Sequence, residues 1–282
     1  MAQDHWWPVG LSSFWKNEQG KVLRFQSDGS QVASNPKKQG SIGRGHSLIP
    51  GELWPESIEP IFNEADTYFP ILISYFLSMI DQTPNIGTRP KRIAINSTAS
   101  KRLPLCISSL IVRSPGFRDG IRDLVYSVNE PFEEPSLRDP LVSANIALAY
   151  SRTTEAVRSS AQKLILVGRS TEFLFGDGIA TNLGVYGGSS PKGIVALTPN
   201  LAFAFLSPTT TLSAGEWIAE LPPDWVHSAN EATQIYSKDC VFSRSGSFKL
   251  SDYFKCGERL AFDYHRIPVL DYLQAQLSDV SS

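Results

Sequence analysis

Residues 194–206 read Ile194-Val195-Ala196-Leu197-Thr198-Pro199-Asn200-Leu201-Ala202-Phe203-Ala204-Phe205-Leu206, and this stretch decides the fold. Two apolar runs, Ile194 to Leu197 and Leu201 to Leu206, are separated only by Thr198-Pro199-Asn200. Turn-forming residues between short apolar runs predict two strands joined directly. Strands that follow one another without a helix between them argue against a βαβ plan. With helices outweighing strands elsewhere, the expected class is α+β, mainly helical with a small antiparallel sheet.

Working upstream, Glu172 to Phe175 reads as a short strand and Gly176-Asp177-Gly178 as a turn, with Gly187-Gly188-Ser189-Ser190-Pro191 as a mobile loop. Ile146, Ala149, Val157, Ala161 and Leu164 fall near helical spacing and predict one long helix over 141–166. Asn129 to Pro140 is an acidic, proline-bearing loop containing Glu130, Glu133 and Glu134. Helices are expected over 117–127, over 100–113 up to Ser114-Pro115, and over 57–81 with Ser57 as its N-cap. Pro70 is expected to kink or split the last of these, and 83–99 reads as a linker. At the start, Pro8 leads a short helix bearing Leu11, Phe14 and Trp15. Lys21 to Phe25 and Gln31 to Ala33 then form a hairpin, followed by an irregular loop over 34–55. Downstream, a helix is expected over 224–242, with fraying from Ser278. The whole is read as a single domain, 1–282, made of an N-terminal hairpin part (1–50), a helical part (51–168) and a strand-plus-helix part (169–282).

The 282 residues carry a formal net charge of -2, which excludes a global polyanion-binding character but not a local patch. Cys106, Cys240 and Cys256 are far apart and form no Cys-x-x-Cys pair, so a reducing interior is expected. The longest apolar run, Tyr68 to Ile80, contains Pro70 and two serines and is too short to span a bilayer. No basic-then-apolar leader precedes His5, and a soluble cytoplasmic protein without a membrane partner is expected. P-loop, nucleophile-elbow and dinucleotide-binding signatures are absent, and Gly40 to Gly45 opens no helix pattern.

Five features bear on chemistry. His5 sits in His5-Trp6-Trp7-Pro8 and is either a general acid/base or a hydrogen-bonded structural histidine. Arg113, before Ser114-Pro115, either complements a helix C-terminus or presents a fork to a carboxylate or phosphate. Asp177 lies between two glycines that permit positive φ and close approach of a ligand, yet Asp-Gly is also a common turn. His227, Asn230 and Glu231 share a helical face, with a spacing that does not match His-Glu-x-x-His, so zinc is weakly supported. Finally, Gln82 to Arg118 contains no acidic residue but holds Arg89, Lys91, Arg92, Lys101, Arg102, Arg113 and Arg118, with Lys37, Lys38 and Arg44 as an extension. This is either a solvated face or a phosphate-contacting surface.

Taken in order, these segments resemble the bacterial domain-of-unknown-function family 4238. The resemblance covers roughly residues 5–245. It rests on His5-Trp6-Trp7-Pro8, Leu11 to Phe14, Gly20-Lys21-Val22, Ile58-Glu59 through Glu64, and Arg113-Ser114-Pro115-Gly116-Phe117-Arg118. It continues through Phe173-Leu174-Phe175-Gly176-Asp177-Gly178, Leu197-Thr198-Pro199-Asn200-Leu201, and Asn230 to Ser243. Of the family's Ser-Asp-Asn-Pro motif only the Asp is kept. The resemblance implies that His5, Arg113, Asp177 and Asn230 converge, and it implies no substrate. The expected function is a hydrolase or nuclease effector of a bacterial defence system. His5 would be acid/base and Arg113 the anion binder. Asp177 would orient the histidine or bind a metal, and Asn230 would position the substrate. The alternative is a non-enzymatic module that binds nucleic acid, or a partner protein of the same system, through Arg89, Lys91, Arg92, Lys101 and Arg102. No cofactor or metal is named by the sequence.

Overall fold

The computed structural model describes residues 3–43, 57–128, 135–182, 191–207, 214–255 and 267–281. Its decisive hairpin forms as expected: β9 (Lys192–Thr198) pairs antiparallel with β10 (Leu201–Leu206) across a register shift at Leu201/Ala202. Every residue of β10 is buried, so these strands read as unbroken apolar runs rather than as alternation.

On its other side β10 pairs with β6 (Gln162–Val167), which in turn pairs in parallel with β11 (Gly215–Glu220). With β5 (Lys91–Ile93) and β8 (Ala180–Asn182), these strands form a six-stranded mixed sheet in the order β5-β11-β6-β10-β9-β8. A second, antiparallel sheet has the order β3-β2-β12-β7. It contains the expected N-terminal hairpin, β2 (Val22–Gln26) with β3 (Gln31–Ser34), together with β12 (Cys240–Ser243) and β7 (Phe175–Gly176). A two-stranded ribbon joins β1 (Gln3–His5) to β4 (Ser41–Gly43). The class is α+β.

Two helices expected from periodicity end early, and each hands its tail to a sheet. The helix expected over 141–166 is α5 (Pro135–Ser159), and its last residues belong to β6. The helix expected over 224–242 is α6 (Pro223–Tyr236), followed by β12. Leu164 to Val167 and Cys240 to Phe242 are buried on both strand faces, a pattern that periodicity cannot separate from a buried helical turn. The linker expected over 83–99 contains β5, and α3 (Ser97–Arg113) starts where Asn96 Oδ1 accepts the Ala99 N–H at 2.8 Å. The C-terminal segment is helical, α8 (Pro268–Ser281), rather than frayed from Ser278, because Val269, Leu270, Leu273 and Leu277 are buried. The expected glycine loop 187–190, the acidic cluster Glu130, Glu133 and Glu134, Arg44 and Cys256 lie outside the described residues.

Helix α2 (Asn63–Gln82) runs unbroken through Pro70. An internal proline costs about 3 kcal/mol. Here the apolar face on both sides of it, Phe69, Leu72, Ile73 and Phe76, is buried, and each such side chain contributes about 1.5–3 kcal/mol. Gly10 makes room for the ring: a Cβ there would lie 2.9 Å from Pro70 Cγ. Ser57, expected as the N-cap, instead accepts the Glu59 N–H through Oγ at 3.0 Å, while the 3-10 turn Glu59–Phe62 that precedes α2 has Ile58 at its N-cap and α2 starts at Asn63.

A single apolar cluster draws residues from Trp6 to Leu277, so all three parts of the chain share one core. The N-terminal aromatics key into it. Trp7 stacks on Phe175 at 4.6 Å and 12°, and its ring centroid lies 4.4 Å from that of Phe242. Trp15 Nε1 donates to the Leu197 carbonyl at 3.1 Å, which ties the short helix α1 (Val9–Ser12) and the 3-10 turn after it to the central hairpin. Among the described residues, no helix is long and apolar enough to cross a membrane.

Candidate functional site

The sequence places Arg24 in the alternating strand Lys21 to Phe25, and Arg118, Asp119 and Arg122 at i, i+1 and i+4 of a helix. The fold carries these polar positions to one cleft. Arg24 is on β2, and the other three are on α4 (Pro115–Val128). Lys38 and Gln39 come from the end of the 3-10 turn Pro36–Lys38, and Lys238, Asp239 and Cys240 from the link between α6 and β12. Together with Trp6, Gly40, Pro115, Asp177 and Phe242 they line a space of about 390 Å³. Gly40 is required at its rim. It has φ +71°, and a Cβ would stand 2.5 Å from Trp7 Cβ, while its carbonyl accepts the Trp6 N–H at 2.7 Å.

Asp177 forms the floor. Its Oδ1 accepts the Lys238 N–H at 2.7 Å, and its Oδ2 accepts those of Asp239 at 2.8 Å and Cys240 at 3.1 Å. Its own carbonyl takes the Gly116 N–H at 2.9 Å. Burial raises its carboxyl to about 6, against the lowering effect of these N–H groups. Burial likewise pushes the Cys240 thiol up, assisted by the Asp177 charge. The flanking glycines do not take positive φ. They admit the chain's own backbone rather than a ligand: a Cβ on Gly178 would lie 1.7 Å from the Tyr236 carbonyl oxygen, and one on Gly176 would lie 2.1 Å from Ser237 Oγ.

Five cationic side chains face three carboxylates in the cleft. Asp119 holds two of the cations, Arg122 Nη1 at 2.7 Å and Lys238 Nζ at 2.7 Å. Arg24 differs. Its Nε is buried without a hydrogen-bond acceptor, and no carboxylate pairs with it among the described residues. Its polar neighbour is the Cys240 thiol.

Of the four residues expected to converge, only Asp177 is among those lining this cleft. Arg113 is in the core with a fully buried side chain. It pairs with Asp66 at 2.7 Å and Glu59 at 3.2 Å, donates to Ser109 Oγ and to the His5 carbonyl, and lies over the Phe62 ring at 4.7 Å. It meets His5 through the histidine's main chain, and the half-buried imidazole does not line the cleft. Asn230 is spent on backbone: Oδ1 accepts the Leu174 N–H and Nδ2 donates to the Glu172 carbonyl, both at 2.8 Å. His227 and Glu231 are exposed on α6.

The residues of the basic run sit in different settings. Lys91 Nζ bonds the Asn85 carbonyl at 2.6 Å, and Arg92 Nη2 bonds that of Ala214 at 3.3 Å. Arg102 pairs with Glu64 and stands over Tyr68. Arg89 and Lys101 are exposed, Arg113 is enclosed, and Arg118 belongs to the cleft. No group of three His, Cys, Asp or Glu among the described residues could hold a metal ion.

The sequence reading did not single out Arg24 or Arg122; the i, i+4 spacing of Arg118 and Arg122 and the charge between Leu23 and Phe25 are the signals that could have marked them. Lys238 and Asp239 carried no signal, because they enter through the hydrogen bonds to Asp177. Comparison with family models, with curated proteins and with solved structures finds no match for this chain.

Proposed function

We propose that the protein binds a phosphate-bearing ligand of the nucleic-acid class in the cleft between β2, α4 and the α6–β12 link. One observation carries this reading: Arg24 lines a cation-rich cleft with its Nε–H buried and unmatched. A buried donor without an acceptor costs about 1–3 kcal/mol, more when charged, and a phosphate oxygen would remove that cost through a short charge-assisted bond. Asp119 fixes Arg122 and Lys238 in place, so less side-chain entropy is lost when an anion enters. The test is titration of a labelled, phosphorylated oligonucleotide by fluorescence anisotropy. Arg24→Gln should weaken binding about tenfold, the effect of losing one charged hydrogen bond. Unchanged affinity would remove the cleft from consideration.

A second reading, hydrolysis of that ligand by a nuclease effector, is favoured by Asp177, a carboxyl with pKa about 6 on the floor of the cleft. Such a group is suited to proton transfer near neutrality. It predicts turnover by the wild type, with and without divalent metal, that Asp177→Asn abolishes and His5→Ala tests in parallel. No turnover by the wild type sinks this second reading.

A further inference from the structure

Resting on the anion-binding role proposed above, we infer that the cleft grips a terminal phosphate monoester and does not read the attached base. The cations come from separate segments: Arg24 from β2, Lys38 from the 3-10 turn, Arg118 from α4 and Lys238 from the α6–β12 link. They surround one space instead of tracking along a groove. The body of a nucleic-acid strand offers singly charged diesters at regular intervals and needs an open track. A monoester offers nearly two charges and three acceptor oxygens at one point, which suits donors arriving from several sides. The volume of about 390 Å³ is near the lower end for small-molecule sites. It accommodates a nucleotide-sized group but not a length of duplex.

The aromatic walls point the same way. Single-strand binders stack bases on open aromatic faces. Here Trp6 is 6% exposed and Phe242 1%. Trp6 already stacks on Phe175 at 10°, with ring centroids 6.0 Å apart. Little of the Trp6 or Phe242 ring is exposed, so a base passing the cleft finds no platform. The carboxylates of Asp119 and Asp239 on the same walls oppose a second phosphate close behind the first.

The probes are short single-stranded oligonucleotides of one sequence with a 5′-phosphate, a 3′-phosphate or hydroxyl ends, with inorganic phosphate as competitor. Either phosphorylated end should bind about tenfold more tightly than the hydroxyl form, as loss of charged hydrogen bonds implies. Inorganic phosphate should compete, and homopolymers of different bases should agree within about twofold, because no stacking energy is at stake. Arg24→Gln and Lys38→Ala, checked by thermal unfolding, should erase the preference for phosphate. Equal binding of phosphate and hydroxyl forms that still depends on Arg24 overturns the monoester inference and leaves the cleft as the anion site. Binding that ignores both substitutions overturns the cleft itself.

Discussion

Two arginines, Arg113 and Arg24, both lie near the His5-Trp6-Trp7 segment, Arg113 through the His5 carbonyl and Arg24 in the cleft that Trp6 lines, and their surroundings differ. Arg113 is enclosed: its two η nitrogens are answered by two carboxylates, a hydroxyl and a carbonyl, and an aromatic ring lies under it, while its Nε, like that of Arg24, is buried without an acceptor. Arg24 opens on a cleft and is answered by no carboxylate among the described residues. The first arrangement joins the C-terminal end of α3 to the start of α2 and to β1. The second leaves binding capacity on a surface that the same aromatics help to form. In this chain an arginine's role follows from whether its fork is already filled, and the sequence around each gives little hint of that.

The comparison breaks most readily at Arg113. Arg113→Met removes the buried cation that Asp66 and Glu59 share and should cost about 3–5 kcal/mol, seen as a large drop in the denaturant midpoint. An equally stable variant would mean that the cluster contributes no net energy. Gly178→Ala forces a methyl group against the Tyr236 carbonyl and should cost about 1–3 kcal/mol or more, with loss of the cleft because Asp177 moves. Asn230→Ala strips partners from the Leu174 N–H and the Glu172 carbonyl, for about 1–3 kcal/mol per buried group. Calorimetry with retained ligand binding would confirm its structural role.

Asp177 allows a sharper test through pH. Its folded pKa, about 6, lies above the ordinary aspartate value of 3.8, so between these values the native state holds more protons than the unfolded chain. The contribution of this group to stability is therefore greatest at low pH and declines as pH rises through that window, levelling above about 6. The difference in unfolding free energy between wild type and Asp177→Asn should move against the wild type from pH 4 to 6, by on the order of 2 kcal/mol. A flat difference would contradict it. The smallest stability effect is expected at Arg24→Gln, within about 0.5–1 kcal/mol, although its effect on ligand affinity is the largest.

Much of the architecture was legible because it rests on local chemistry. The Thr198-Pro199-Asn200 turn, the N-terminal hairpin and the break at Ser114-Pro115 are set by turn residues and by proline. The tails of α5 and α6 were not legible, since a short apolar run buried on both sides satisfies helix and strand alike. Asp177 does line the cleft, but its flanking glycines were misread: their missing Cβ atoms serve tight packing against the chain itself rather than approach of a ligand. Arg113 and Asn230 were expected to join Asp177 in one site, and the fold engages both elsewhere. Their partners, Asp66, Glu59 and the backbone of Glu172 and Leu174, are remote in sequence, so nothing local distinguished a filled hydrogen-bonding capacity from an available one.

Among the described residues, the three-residue strand β5 pairs with β11 on one side only, at the end of the six-stranded sheet. Lys91 and Arg92 stand on it, both exposed. A sheet that ends in bare backbone donors and acceptors invites a second molecule to add its own strand. A short terminus crowded with positive charge discourages such growth. By that rule the basic residues that first suggested an attraction for nucleic acid would, at this position, repel other copies of the chain. Replacing both with valine should show itself as concentration-dependent self-association in light scattering, with ligand binding in the cleft unchanged.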